Sequence, residues 1–206
     1  GIGLELSKKY AAKNNKVVVI DIKDFPEKIE NIVFFKADIT NKENLEKVVD
    51  NVEKDIGHIK LAILNAGGYF INDFEKTVKL NLFGTCNCIN LIFYKMIKSK
   101  GGHIVIIGSA SGLIGLSDFH DGYVVSKSAL IRLAECIKLK FETKNIRVQI
   151  INPGFINTNL ISKKINTYFI LPLDIAVNKI IKGINSNKFE ICFPLNVYLW
   201  VKLLQF

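Results

Sequence analysis

The strongest candidates for chemistry in this sequence are a serine, a tyrosine and a lysine. Ser109 lies in the small-residue segment Gly108–Gly112, and Tyr123 and Lys127 follow four positions apart. In a helix this spacing places both side chains on one face, so the lysine ammonium would lower the tyrosine pKa from its usual value of about 10. A serine hydroxyl across the site would hold a carbonyl or alcohol oxygen. The three predict a proton-transfer site beside a hydride acceptor, although a tyrosine and lysine at this spacing are more commonly a helix surface pair.

The elements that position these residues follow from an alternation of short apolar runs and longer helical patterns. Strands are predicted at Val17–Asp21, Ile32–Lys36, Leu61–Leu64, Ile104–Ile107, Ile146–Ile151 and Phe189–Phe193. Helices are predicted at Leu4–Asn14, Asn41–Ile56, Phe74–Ser99, Tyr123–Lys144 and Leu173–Ser186. Continuous apolar strands indicate a sheet that is covered on both faces. The alternation predicts an α/β fold with a doubly wound, Rossmann-like parallel sheet in three layers, as a single domain over 1–206.

The composition excludes several other classes of protein. The 206 residues are 49% hydrophobic and 23% charged, which is not a disordered composition. The four cysteines have no paired spacing, so a disulfide scaffold is not expected, and Cys136 and Cys192 are predicted to pack in the core. The net charge of +9 comes almost entirely from lysines scattered along helix faces, without a nucleic-acid-binding motif. No metal motif is present.

The two ends of the substrate region leave alternatives open. The segment 159–171 is interpreted as a short substrate lid, where Lys163 and Lys164 would meet an acidic substrate or, as the pattern favours, face solvent. His120 would line the cleft or lie in a surface loop, the favoured interpretation. The apolar segment 195–206 is expected to pack on the core or on a second subunit rather than on a membrane surface. A cytoplasmic location and a small, apolar substrate are the resulting expectations.

The first residues resemble half of a phosphate-binding turn. Gly1-Ile2-Gly3 leads directly into a helix, whose N-terminus would bind a pyrophosphate. Such a turn normally follows a strand, and none precedes it here. We therefore expect a sheet that lacks its first, central strand, with about ten to fifteen residues of strand and turn outside this sequence.

Other candidate cofactor contacts lie where predicted strands end. Asp21 ends one strand and would accept hydrogen bonds from a ribose, although Lys23 would offset its repulsion of a 2′-phosphate. Asp38-Ile39 would meet an adenine edge, or Asp38 would serve the following helix N-terminus. Asn65-Ala66-Gly67 would allow close approach of a flat ligand.

In this order the motifs resemble the short-chain dehydrogenase/reductase family, from Gly1 to about Thr158 and more loosely to Pro194. Gly1-Ile2-Gly3 is similar to the end of its TGxxxGIG turn, Asn65-Ala66-Gly67 to its NAG motif, and Ser109, Tyr123 and Lys127 to its serine and YxxxK. Asn81 is similar to the asparagine that holds a proton-relay water. Pro153-Gly154-Phe155-Ile156-Asn157-Thr158 is similar to the PGxxxT segment, which binds the nicotinamide amide.

The resemblance implies an NAD(P)-dependent oxidoreductase that interconverts a secondary alcohol and a ketone. Tyr123 would be the acid/base, Lys127 would bind the nicotinamide ribose, Ser109 would orient the substrate oxygen and Asn81 would complete the relay. Asp21 resembles the family's NAD-selecting acid, so NAD is favoured over NADP. The family's interface helices imply a homodimer or homotetramer. The alternatives are an epimerase or dehydratase and a non-catalytic or regulatory protein on the same fold.

Overall fold

The computed structural model describes residues 1–115, 121–158 and 170–203. Its strands are β1 (Val17–Asp21), β2 (Ile32–Lys36), β3 (Leu61–Leu64), β4 (Gly102–Ile107), β5 (Ile146–Pro153) and β6 (Glu190–Phe193). Each coincides with a predicted strand to within two residues, because runs of β-branched residues favour extended backbone where both faces of a sheet are covered. Most of the predicted lid, 159–169, lies outside the described residues. His120 and the last three residues of the chain also lie outside them.

All strand pairings are parallel, and they form two groups. β1 pairs with β2, while β3, β4, β5 and β6 pair in that order. β4 and β5 lie at the centre of the larger group, with Ile104 opposite Val148 and both side chains almost fully buried. A parallel sheet brings the carboxyl ends of its strands to one edge, which is where open α/β sheets bind ligands.

The slot expected in the middle of the sheet is present between β1 and β3. A cavity of about 680 Å³ separates them and is lined by Val19 of β1 and Ile63 of β3, among other residues. Tyr10 also lines it, and among the described residues the buried Tyr10 hydroxyl has no hydrogen-bond partner. The described strands therefore leave facing edges of β1 and β3 unpaired.

Helices cover both faces of the sheet. The α-helices are α1 (Ile2–Ala11), α2 (Lys42–Asn51), α3 (Phe74–Val78), α4 (Thr85–Lys98), α5 (Asp121–Glu142), α6 (Leu173–Ile184) and α7 (Leu195–Leu203). Side chains of α4 and α5 pack against Ile104 and Ile150 on one face. Side chains of α1 and α6 pack against Val105 and Ile151 on the other. The expected three-layer, Rossmann-like arrangement is confirmed.

Two predicted helices are interrupted by wider turns. The helix predicted at Asn41–Ile56 begins with Asn41 capping the amide of Asn44 and ends in a π-helical turn, Val52–Ile56. The helix predicted at Phe74–Ser99 contains the π-helical segment Lys79–Gly84, which includes Asn81. Such segments are frequent at functional sites.

Two further features differ from or add to the sequence analysis. A 3₁₀ helix, Ala110–Leu113, follows β4 and was not predicted. Cys136 is exposed on α5, so its prediction as a core residue was wrong, whereas the half-buried Cys192 packs against the core as predicted. On α5, Ala134 faces the sheet, and Cys136, two positions further along the helix, lies on a different face that is exposed to solvent. Within the described residues no helix is both long and apolar enough to cross a bilayer.

Candidate active site

Ser109 reaches the ligand-binding edge of the sheet because of a glycine before it. A Cβ at Gly108 would stand 2.1 Å from Oδ1 of Asn152, a fully buried residue on the neighbouring strand β5. Only glycine allows the two chains to approach this closely. The backbone then stays extended at Ser109, which caps the 3₁₀ helix by accepting a hydrogen bond from the amide of Ser111. Ser109 is therefore held by both β5 and the 3₁₀ helix.

Tyr123 and Lys127 lie one turn apart near the start of α5, as their spacing predicted. The Ser109 hydroxyl lies close enough to the Tyr123 phenol to lower its pKa, and Lys127 Nζ lies 5.7 Å from the centroid of the Tyr123 ring. Lys127 is only 4% exposed, and its Nζ donates to the carbonyl oxygen of Ile107, at 2.9 Å. The structure thus brings together all three residues singled out in the sequence.

The electrostatics of this cluster differ from the prediction in one respect. Burial raises the pKa of Tyr123 above its ordinary value of 10.0, and the hydrogen bond from Ser109 lowers it by less. Burial also lowers the pKa of Lys127 from 10.5 to about 8. The expected fall in the Tyr123 pKa is therefore absent from the protein alone, because loss of solvation outweighs the polar contacts. In this state Tyr123 is a neutral phenol at neutral pH and can donate a proton.

Asn81 is buried beneath the cluster, and its side chain is fully engaged. Its Oδ1 accepts from the amide of Gly68 at 2.8 Å, while its Nδ2 donates to the Gly68 carbonyl and to Ser126 Oγ, each at 2.9 Å. Ser126 Oγ in turn donates to the Tyr123 carbonyl. Asn81 therefore connects the loop after β3 to the first turn of α5.

The loop after β3 approaches the same cluster. A Cβ on Gly67 would lie 3.0 Å from Asn81 Oδ1 and 3.4 Å from Lys127 Nζ. Asn65 is half-buried, whereas Ala66 and Gly67 are exposed at the strand end. This segment provides an open surface beside Lys127, which suits the close approach of a flat ligand.

The nucleotide edge is defined here as the start of α1 together with the ends of β1 and β2. Gly1 precedes Ile2 at the start of α1, and no side chain caps the first turn. Gly3 lies against Asn65, since a Cβ there would stand 2.8 Å from Asn65 Nδ2. The first turn of α1 therefore adjoins the end of β3.

Asp21 and Asp38 are both exposed at this edge. Oδ1 of Asp21 accepts from the amide of Lys23 at 2.9 Å, leaving the rest of the carboxylate open to solvent. Oδ1 of Asp38 accepts from the amide of Thr40 at 2.8 Å, and Ile39 is buried against α4. Because Asn41 caps α2, Asp38 is not that helix's cap.

The segment after β5 lies next to the cluster. Pro153 is buried at the end of β5, and the Gly154 amide donates to the carbonyl of Phe193. Ile156 is 5% exposed and pairs in parallel with Leu171. Thr158 is half-buried and is the last described residue before the predicted lid. The segment is thus anchored at both ends.

Three polar residues of the site were missed by sequence reasoning. They are Ser111, Ser126 and Asn152, which contact Ser109, Asn81 and Gly108 respectively. Ser111 was visible in the serine-containing segment after β4, but the contacts of Asn152 depend on the register between strands. Among the described residues, no cluster of three or more histidine, cysteine or acidic side chains could hold a metal ion.

Comparison with known proteins identifies relatives of this chain. Residues 1–168 match the family described as short chain dehydrogenase. An uncharacterized oxidoreductase of Saccharomyces cerevisiae is 28% identical, over 100% of this chain and 73% of its own length. An NAD-dependent glycerol dehydrogenase of Listeria innocua is 31% identical, over 78% of this chain and 68% of its own. An NADH-dependent L-xylulose reductase of Ambrosiozyma monospora is 34% identical, over 64% and 53%. The chain spans between about half and three quarters of these relatives.

Solved structures show the same fold. A short chain dehydrogenase from Burkholderia cenocepacia in complex with NADP superposes with a TM-score of 0.87 at 20% identity, covering 100% of this chain and 88% of that one. A short-chain dehydrogenase from Streptomyces avermitilis gives a TM-score of 0.84 at 17% identity, covering 100% and 89%.

Proposed function

The chain belongs to the short-chain dehydrogenase/reductase family, and from that premise we propose that it interconverts a secondary alcohol and a ketone with a nicotinamide cofactor. The observation that carries the proposal is the assembled cluster of Ser109, Tyr123 and Lys127. The Ser109 hydroxyl lies near the phenol and lowers its pKa, and the Lys127 side chain is buried beside the Tyr123 ring. No structural requirement of the fold brings these three polar groups together, whereas proton transfer to a carbonyl oxygen is accelerated by a positioned proton donor such as the Tyr123 phenol.

The residues present fit a nicotinamide dinucleotide. The uncapped start of α1 offers amides to a pyrophosphate, and Asp21 offers a solvated carboxylate to a ribose. Lys127 would hold the nicotinamide ribose, and Pro153, Gly154, Ile156 and Thr158 would hold the carboxamide. The Listeria innocua relative is named as NAD-dependent, and the Burkholderia cenocepacia structure contains NADP. We favour NAD because a carboxylate at Asp21 repels a 2′-phosphate.

Tyr123 is the proton donor in ketone reduction. The cofactor, when bound, supplies the hydride that reaches the carbonyl carbon. As negative charge develops on the carbonyl oxygen, the neutral Tyr123 phenol transfers its proton to that oxygen. Ser109 donates a hydrogen bond to the same oxygen and stabilises the developing charge. In alcohol oxidation these proton transfers run in reverse.

Lys127 and Asn81 support the phenol from the protein side. Lys127 becomes partly neutral near pH 8, so its positive charge beside the phenolate is retained below that pH. Asn81 fixes the loop at Gly68 and the start of α5. We propose that Asn81 keeps Tyr123 and Lys127 aligned as members of one proton-relay site.

Assembly into a homodimer or homotetramer is proposed through α4 and α5. Tyr94 of α4 is 65% exposed, and Leu139 of α5 is 71% exposed. Phe83, in the π-helical segment before α4, is 60% exposed. Large apolar side chains exposed on neighbouring helices are typical of subunit interfaces.

The experiment is a panel of ketones assayed with NADH or NADPH deuterated at the transferable position. Mass spectrometry of the product would detect deuterium on the carbinol carbon, with one cofactor oxidised per alcohol formed. An epimerase or dehydratase would instead return its cofactor unchanged. Cofactor binding without net oxidation of NADH or NADPH on any ketone, and without net reduction of NAD or NADP on any secondary alcohol, would contradict the proposed redox activity.

A further inference from the structure

Two serine hydroxyls lie in contact at the start of the 3₁₀ helix. Ser111 Oγ is 2.8 Å from Ser109 Oγ, and the Ser111 amide donates to Ser109 Oγ at 3.2 Å. Ser111 is only 9% exposed. Ser109 also contacts Tyr123, so Ser111 is one hydrogen bond removed from the phenol.

The hydrogen-bonding capacity of the two hydroxyls determines which serine donates its proton to the other. A serine hydroxyl donates one hydrogen bond and accepts two. Among the described residues, Ser109 is the single hydrogen-bond partner of the Ser111 hydroxyl. If Ser109 donated to Ser111, the buried Ser111 proton would be left without an acceptor, which is unfavourable. Donation from Ser111 to Ser109 therefore satisfies more groups.

This direction of donation fixes what Ser109 can do. Its two acceptor positions are filled by the amide and the hydroxyl of Ser111. Its own proton is then free to point towards Tyr123 and a substrate oxygen. We propose that Ser111 is a positioning residue that holds Ser109 as a hydrogen-bond donor, to the substrate oxygen when substrate is bound and to the Tyr123 phenolate when the site is empty. The proposal rests on the function proposed above.

A purely structural role for Ser111 predicts a different outcome. The cap of the 3₁₀ helix uses the Ser111 amide, which an alanine at this position retains. Ser128 provides a matched structural control, because its hydroxyl donates to the Gly112 carbonyl at 2.7 Å and ties the same 3₁₀ helix to α5. No hydrogen bond joins Ser128 to Ser109 among the described residues.

The test compares Ser111→Ala, Ser111→Thr and Ser128→Ala with the wild type. Steady-state kinetics with a ketone that the wild type reduces would give kcat, KM and the pH profile of kcat. For Ser111→Ala we expect kcat to fall about five- to tenfold, the effect of one lost hydrogen bond, with KM changed less than twofold. The pKa of Tyr123 in the profile should rise, since the bond from Ser109 lowers it. Ser111→Thr, which keeps a hydroxyl, should show the wild-type kcat and the wild-type Tyr123 pKa.

A titration independent of turnover separates this proposal from the proposed function. The tyrosinate absorbance of each variant, minus that of the same variant carrying Tyr123→Phe, reports the Tyr123 pKa directly. A higher Tyr123 pKa in Ser111→Ala supports the proposal even if no ketone is reduced. An unchanged Tyr123 pKa in Ser111→Ala, or an equal rise in Ser128→Ala, would overturn it. If Ser111→Ala unfolds, the Tyr123 pKa measured in Ser111→Thr decides, and the proposal requires it to equal the wild-type value.

Discussion

The cluster of Ser109, Tyr123 and Lys127 and the nucleotide edge both lie at the carboxyl ends of the strands but are built differently. Around the cluster, Lys127 and Asn81 are 4% and 0% exposed, and their side chains have protein partners. At the nucleotide edge, Asp21 is exposed and no side chain among the described residues caps α1. The cavity between β1 and β3 adjoins this edge, whereas β4 and β5 support the cluster without a gap.

On the function proposed above, this difference predicts that chemistry and cofactor selection depend on separate parts of the protein. Substitution of a buried, hydrogen-bonded side chain lowers the activity or stability of the protein, because it leaves the hydrogen-bond partner unsatisfied. Exposed groups keep the fold when changed and alter only what they bind.

The largest effect is expected from the pH dependence of stability in Lys127→Met. The pKa of Lys127 is 10.5 ordinarily and about 8 in the fold, a fall that corresponds to about 3 kcal/mol. Below pH 8 the folded protein bears this cost in full. As pH rises from 8 towards 10.5 the unfolded state binds more protons, so wild-type stability rises relative to the variant.

Urea unfolding of both proteins across this pH range measures the effect. The stability difference, variant minus wild type, should decrease by up to about 3 kcal/mol. Lys140→Met, at an exposed position of the same helix, is the control and should show a flat difference. A flat difference for Lys127→Met as well would contradict the burial of a charged lysine.

A smaller loss is expected when Gly108 is replaced by alanine. The added Cβ would meet Asn152 Oδ1 at 2.1 Å in a fully packed region, which should cost about 1–3 kcal/mol and displace Ser109. Gly115→Ala is the matched control, because none of the described residues lies within 4 Å of its Cβ position. Urea midpoints measure both. Equal midpoints for the two variants would show that Gly108 has more room than the structure indicates.

The smallest effect is expected at Asp21. Asp21→Ala should weaken NAD binding about tenfold, as for a lost hydrogen bond to a charged group, with NADP binding unchanged or stronger. Asp24→Ala is the control, since Asp24 is paired with Lys36 at 2.8 Å. Calorimetric titration with each cofactor measures the affinities. An equal loss for NAD and NADP, or the same loss in Asp24→Ala, would remove Asp21 as the selecting residue.

The sequence predicted most of the fold because its signals are local. Apolar β-branched runs such as Val17–Asp21 give strands, and their alternation with helices gives the parallel sheet. The π-helical segment at Asn81 was not predictable in this way. Asn81 bonds to Gly68 and to Ser126, forty-five positions away along the chain, and such contacts have no local pattern.

The candidate site was predicted in its residues but not in its electrostatics. The spacing of Tyr123 and Lys127 placed them on one helical face, as observed. Their pKa values depend on burial, which is set by helix α5 packing on the sheet and by the loop containing Gly67. A sequence shows the charge on Lys127 but not the loss of hydration at Lys127 and Tyr123. The direction of the Tyr123 pKa shift was therefore predicted wrongly.

The most direct test of the account is Tyr123→Phe, measured for cofactor affinity and turnover in the same preparation. The phenol hydroxyl is the proposed proton donor, so its removal should lower kcat by about 10² to 10⁴-fold. The nucleotide edge is untouched, so the cofactor Kd should stay within about twofold, a change of less than 0.5 kcal/mol. Turnover at the wild-type rate would contradict the assignment of Tyr123. A parallel collapse of cofactor binding would contradict the separation of the two regions.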